Sequence, residues 1–225
     1  MRGKTRAVAA AALTSIALFA TACGGGGGNT PGPGSSGAAT AEITVRGCTP
    51  QNPLVAGNTA EVCGGNIVDL FVSKLEHYAV DNAAPEHDIA ESIDTKDNQN
   101  FTVKIKKGYK FSDGTEVKAK NFVDSWNYTA YGPNGQQGSY FFEPVKGFAD
   151  VQCTDEACKD KPKAKTMSGL KVVDDYTFTI TTTAEVSNLP VRLGYSAFAP
   201  QPASFFADPA SFKTKPIGAG PYKVD

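Results

Sequence analysis

The stretch that decides the fold is residues 101–115, FTVKIKKGYKFSDGT. Its first six residues alternate, so Phe101, Val103 and Ile105 share one side of a strand while Thr102, Lys104 and Lys106 face water. The segment SDGT at 112–115 places a glycine where a tight turn requires a positive φ. The stretch therefore predicts a half-buried strand, a short extended segment and a turn.

A helix and a hairpin are predicted downstream of this turn. Apolar residues recur at helical spacing from Ala119 to Ala130, which puts Trp126 on the core-facing side together with Phe122 and Val123. Residues 170–173 and 176–181 predict two strands that are joined by a turn at 174–175.

Two more elements are predicted upstream. The alternation of residues 42–46 predicts a first strand. Residues 65–78 predict a helix with its buried face formed by Ile67, Leu70, Phe71 and Leu75. Strands and helices that do not alternate regularly predict a mixed α/β (α+β) fold.

Composition and charge exclude some classes of protein. The chain has 225 residues, and 22 Lys+Arg against 23 Asp+Glu give a formal net charge of −1. A general nucleic-acid binder needs a basic field, so no nucleic-acid partner is expected. A hydrophobic fraction of 40% is enough for a packed core.

The first 41 residues predict export and anchoring. Residues 1–22 combine a basic start with a short uncharged apolar segment, as a signal peptide does. Small residues before Cys23 resemble a bacterial lipobox, which predicts lipidation of Cys23, although Ala20 stands where leucine is usual. Residues 23–41 are rich in Gly, Pro and Ser and predict a flexible tether. The alternative is an ordinary secretory signal in which Cys23 has no role.

The other four cysteines predict disulfides. An exported chain with Cys48, Cys63, Cys153 and Cys158 can form two bridges in three pairings. Sequence proximity favours Cys48–Cys63 and Cys153–Cys158. A four-cysteine zinc site is disfavoured because no C-x-x-C pair is present.

The sequence carries no catalytic constellation. Its two histidines, His77 and His87, lie far from any Gly-x-Ser-x-Gly segment, and His87 is predicted to lie in a loop. Adjacent residues rarely point at one ion, so Glu86-His87-Asp88 is not expected to bind metal. We expect neither an enzyme nor a cofactor.

Several motifs in order resemble a known family. They are DIAES at 88–92, the stretch 101–115, FVDSW at 122–126, GLKVVDDYTF at 169–178 and PIGAGPY at 216–222. Together they resemble the peptide- and nickel-type solute-binding proteins of ABC importers, extracellular solute-binding protein family 5. The chain departs from the family at Lys118, where a Ser or Thr helix cap is frequent, and at Ala219, where the family usually has Thr.

The resemblance implies a two-lobed, periplasmic-binding-protein-like type II fold. Residues 42–71 and 185–225 would form an incomplete core of the first lobe, and residues 72–184 would form its extra subdomain. Family members are about twice as long, so the resemblance also implies a truncated chain or a fragment.

The resemblance further implies a monomeric, lipid-anchored receptor on the outer face of the cell membrane. It would capture oligopeptides or dipeptides and deliver them to an ABC permease. The alternatives are a signalling or scaffold lipoprotein on the same fold, or a binder of sugars or metal chelates. The implied ligand-side residues are Asn58, Thr59, Glu61, Tyr140, Phe141, Ser196 and Phe198.

Overall fold

The computed structural model describes residues 43–152 and 161–225. The α-helices are α1 (Val62–Phe71), α2 (Ala119–Ala130), α3 (Phe148–Gln152), α4 (Leu189–Arg192) and α5 (Ala203–Ala207). The strands are β1 (Glu76–Tyr78), β2 (Pro85–His87), β3 (Ala90–Thr95), β4 (Asn100–Ile105), β5 (Leu170–Asp174) and β6 (Thr177–Thr181). Short 3₁₀ helices span Gly132–Asn134, Gln137–Phe142, Ser196–Phe198 and Ser211–Lys213.

A four-stranded antiparallel sheet in the order β3-β4-β6-β5 contains the first part of the stretch 101–115, which lies in β4. The predicted alternation of β4 is confirmed, because Phe101, Val103 and Ile105 are each at most 1% exposed. Val103 pairs with Phe178 across the ladder, so the inward faces of β4 and β6 coincide. Gly114 has φ +88°, which confirms the predicted turn glycine.

Helix α2 packs on the buried face of this sheet. Trp126 is fully buried, as predicted, and its ring lies 5.4 Å from that of Phe178 between centroids. Lys118 gives α2 no side-chain cap, since an ammonium group has no acceptor. The Asn121 Oδ1 instead accepts from the Lys118 N–H at 2.8 Å, and this bond satisfies part of the helix start.

Two predicted elements differ from the structure. Residues 43–46 are exposed coil rather than a strand, and no partner strand lies beside them among the described residues. The predicted helix 65–78 ends at Phe71, so Leu75 is buried outside it and Leu70 is 52% exposed. The N–H groups of Gly220 and Tyr222 donate to the carbonyls of Phe71 and Leu70. A distant segment thus takes the place of a further helical turn, which local periodicity cannot indicate.

Three buried apolar clusters organise the described residues. The largest joins the sheet to α2, while Ala56, Val68, Phe71, Val72 and Ala199 form a second and Val55, Phe205 and Phe212 a third. The smaller clusters pair residues before 73 with residues after 198. The largest cluster, however, also contains Leu189, Leu193 and Phe198, so the expected division into 42–71 plus 185–225 and 72–184 stays a prediction.

Residues Val45–Asp225 form one compact unit. Of the preceding unit, the structure describes only Ile43 and Thr44, so the predicted signal peptide, Cys23 and tether lie outside the described residues. In the described ranges, none of the helices combines the length and the apolarity that crossing a membrane requires.

Candidate functional site

The residues implied to face the ligand lie in three segments of the chain, and these segments contact one another. The N–H of Gly138, in the 3₁₀ helix Gln137–Phe142, donates to the Gly57 carbonyl at 2.9 Å. A Cβ built on Gly138 would lie 3.4 Å from the Ala197 Cβ, which shows how closely the third segment approaches. The Phe141 ring lies 5.2 Å from that of Tyr195 between centroids. We call these residues, 51–61, 137–142 and 195–198, the three-segment surface.

The first segment of this surface is held by its own side chains. The Thr59 hydroxyl lies 2.9 Å from the Pro53 carbonyl and 3.0 Å from the Val55 carbonyl, and Thr59 is 7% exposed. Glu61 caps α1 by accepting from the Gly64 N–H at 2.9 Å. That hydrogen bond is the largest cause of the lowered pKa of Glu61, which also accepts from the Gln51 N–H. Thr59 and Glu61 therefore organise the segment.

Asn58 and two residues absent from the sequence prediction connect the first and second segments. The Gln137 N–H donates to the Asn58 Oδ1 at 3.2 Å, and the Gln137 Nε2 donates to the Asn52 Oδ1 at 2.7 Å. These residues are 79 and 85 positions apart in sequence, so no local signal could have paired them.

The aromatic residues of the surface differ in exposure. Tyr140 is 58% exposed and stacks on half-buried Phe141 at 4.5 Å between centroids. Ser196 is half-buried. Phe198 is 1% exposed, its ring packs on Trp126, and its carbonyl accepts from the Trp126 Nε1 at 2.9 Å. The Phe198 ring therefore belongs to the core. Tyr140 exposes a larger fraction of its side chain than Phe198 does.

Tyr195 extends this aromatic area and was not among the predicted site residues. It is 49% exposed and packs edge-on against Tyr78, at 6.2 Å between centroids. The Tyr78 hydroxyl donates to the Val191 carbonyl at 2.7 Å. The pKa of Tyr78 is raised to about 12; burial is the largest cause and the nearby Tyr195 is the second. An open cleft of about 460 Å³ lies alongside and is lined in part by Tyr140, Tyr195 and Arg192.

The predicted disulfide Cys48–Cys63 is confirmed, with Cα atoms 5.4 Å apart. It joins the exposed entry of the described chain to the second residue of α1. The predicted pair Cys153–Cys158 lies outside the described residues.

The two histidines lie in a small hairpin formed by β1 and β2, so the prediction that His87 lies in a loop was wrong. The His87 Nδ1 is 2.6 Å from the Oε1 of buried Glu76, and the His77 Nε2 is 3.1 Å from the Glu86 Oε2. Each histidine thus has a carboxylate partner on the opposite strand, and such cross-strand pairs stabilise a hairpin. Within the described ranges, no group of three or more potential metal ligands comes together.

Comparisons with known proteins identify relatives of this chain. The family described as bacterial extracellular solute-binding proteins, family 5 Middle, matches residues 84–225. The periplasmic oligopeptide-binding protein OppA of Escherichia coli is 30% identical over 133 residues, which are 59% of this chain and 22% of that protein. A dipeptide-binding protein of Lactococcus lactis is 33% identical over 94 residues, which are 41% of this chain and 16% of that protein.

Solved structures give the same fold. Haemophilus influenzae OppA in complex with RPPGFSPFR has a TM-score of 0.70 at 22% identity, over 79% of this chain and 34% of that one. Listeria monocytogenes OppA bound to peptide has a TM-score of 0.66 at 23% identity, over 78% and 34%.

The chain spans only 22% and 16% of the two curated relatives named above. The mixed α/β fold of part of a two-lobed binding protein is confirmed. The members of this family are solute-binding proteins and not enzymes. The match covers well over half of the sequence, and the chain belongs to the bacterial extracellular solute-binding proteins, family 5.

Proposed function

We propose that the intact protein binds peptides and that the three-segment surface is one side of its binding site. The observation that carries this proposal is that exposed Tyr140 and half-buried Asn58 lie on one surface. Asn58 accepts a hydrogen bond from the Gln137 N–H, and Gln137 begins the 3₁₀ helix that contains Tyr140. The oligopeptide- and dipeptide-binding relatives support peptides as the class of solute.

The chemistry of the surface suits a peptide. A peptide backbone presents N–H and C=O groups that need hydrogen-bond partners, and a side-chain amide such as that of Asn58 can both donate and accept. Stacked Tyr140 and Phe141 offer a flat apolar wall for the peptide's side chains, with a phenol at its edge. Half-buried Ser196, the neighbour of Tyr195 in sequence, would add a hydroxyl. Thr59 and Glu61 would hold the loop that carries Asn58.

The finer part of the proposal concerns anchoring and delivery. Cys23 would carry lipid after removal of residues 1–22, and residues 23–41 would tether the receptor at the outer face of the membrane. The captured peptide would pass to the permease of an ABC importer. A mature protein whose N-terminal cysteine carries no acyl chain in an intact-mass measurement would contradict the anchor.

A thermal-shift screen of the intact natural protein tests peptide binding. Pools of di- to nonapeptides should raise the melting temperature, because a ligand that binds only the folded state stabilises it. Tyr140→Ala should weaken the affinity for the best peptide about tenfold, as expected for loss of an aromatic contact.

The matched control is Val173→Ala, which truncates another exposed side chain, 57% exposed on edge strand β5. This variant should bind the peptide as the wild type does. A shift with a sugar or a metal chelate, together with none from any peptide, would refute the peptide assignment.

A further inference from the structure

The Cys48–Cys63 disulfide closes a loop that contains the whole first segment of the three-segment surface. The two cysteines are 15 residues apart, and Asn52, Asn58 and Glu61 lie between them. Before Cys48 the chain is exposed, with Ile43 at 80% and Val45 at 78%. The bridge therefore fixes the entry of the loop to the first turn of α1.

The rest of the loop is held by different contacts. Val55 and Ala56 are buried in two apolar clusters, and Gly57 accepts from Gly138. These contacts hold the middle of the loop. Its first part, from Cys48 to Asn52, is tied down by the disulfide, by the Gln51 N–H bond to Glu61 and by the Asn52 bond to Gln137.

Gln137 connects residues 48–52 to the segment that carries Tyr140 and Phe141. Its side chain binds Asn52 and its backbone N–H binds Asn58, while Tyr140 follows three residues later in the same 3₁₀ helix. Gln137 is exposed, so water can replace the Asn52 amide as the partner of the Gln137 side chain if Asn52 moves away. A constraint on Asn52 is therefore also a constraint on the segment that carries Tyr140.

We propose that Cys48–Cys63 is a positioning disulfide for ligand binding: it fixes Asn52 against Gln137 and thereby preorganises the surface that presents Asn58 and Tyr140. The inference rests on the proposed peptide-binding function. Fixing a loop in its binding conformation in advance improves affinity, because less conformational freedom is lost when the ligand binds.

A double-mutant cycle in the intact natural protein tests the inference. The probe is the peptide with the largest thermal shift, and the variants are Cys48→Ser/Cys63→Ser, Gln137→Ala and their combination. Removing the disulfide should weaken peptide binding about tenfold. Gln137→Ala should weaken binding in the wild type but have little further effect without the disulfide, because the two changes break the same connection.

Amide hydrogen exchange of the free protein separates positioning from general stabilisation. Without the disulfide, exchange should rise in residues 49–53 and 136–139 and stay unchanged in β4 and β6. If exchange rises equally in β4 and β6, or if the two effects on affinity simply multiply, the disulfide only stabilises the fold and the inference is overturned.

Failure of the peptide-binding function would be recognised separately. If no peptide binds the wild type, the proposed function fails, and exchange alone decides whether the disulfide orders the surface. Unchanged exchange in residues 136–139 would then show that the disulfide does not order the surface and would overturn the inference, whereas a rise in both 49–53 and 136–139 would support the ordering.

Discussion

Trp126 and Phe198 show what residue spacing can and cannot predict. Trp126 shares helical spacing with Phe122, and the structure buries it completely. Phe198 was expected at the ligand, yet it is 1% exposed and its ring packs on Trp126. A phenylalanine in an irregular segment has no periodicity that separates a pocket wall from a core residue. The exposure of Tyr140 and the burial of Phe198 therefore needed the tertiary structure.

Glu61 leads to a prediction about acid stability. The Gly64 N–H lowers the pKa of Glu61 below its ordinary value of 4.5. A lowered folded-state pKa means that the stabilisation is present above pH 4.5 and is lost as the pH falls through the folded-state value. Glu61→Gln should therefore flatten the decline in melting temperature of the intact protein between pH 5 and about pH 2.

The control for Glu61→Gln is Glu185→Gln, which removes one negative charge from an exposed glutamate. Melting temperatures measured across the same pH range for all three proteins give the comparison. An acid decline in Glu61→Gln as steep as that of the wild type would show that the cap at Gly64 does not couple protonation to stability.

Strands β4, β5 and β6 and helix α2 were predictable because their signals are local. An alternation of period two defines β4, and the pairing of Val103 with Phe178 follows once both strands bury the same face. The end of α1 was not predictable, since residues 220–222 bond to its last carbonyls. The joining of the loop before α1 to the 3₁₀ helix Gln137–Phe142 is equally non-local.

Two glycines, Gly57 in the first segment and Gly65 in α1, give a matched prediction on the close approach of the first segment to α2. Gly57 is buried, and a Cβ there would overlap the side chain of Thr129, a stiff β-branched residue. Gly57→Ala should lower the free energy of unfolding by about 1–3 kcal/mol through overpacking. Gly65 lies inside α1 with no atom within 4 Å of a built Cβ.

Gly65→Ala should accordingly raise the free energy of unfolding by about 0.5–1 kcal/mol, because alanine restricts the unfolded chain and suits a helix. Chemical unfolding of the intact protein measures both variants. Equal effects of the same sign would contradict the close approach of Gly57 to α2.

At the scale of the molecule, the residues that the structure describes form three apolar clusters, and these lie within one compact unit that spans Val45–Asp225. The order of several motifs predicted the family, and the match over residues 84–225 confirmed it. The individual motifs are short, so their order rather than any one of them carried the prediction. The ligand remains a proposal because peptide specificity depends on both sides of a binding site.

The central claim is that the three-segment surface faces a peptide, and hydrogen exchange of the intact protein with and without its best-binding peptide tests it most directly. Bound peptide should slow exchange in residues 51–61, 137–142 and 195–198, while edge strand β5 should be unchanged. Tight peptide binding that leaves all three segments unprotected would contradict the claim.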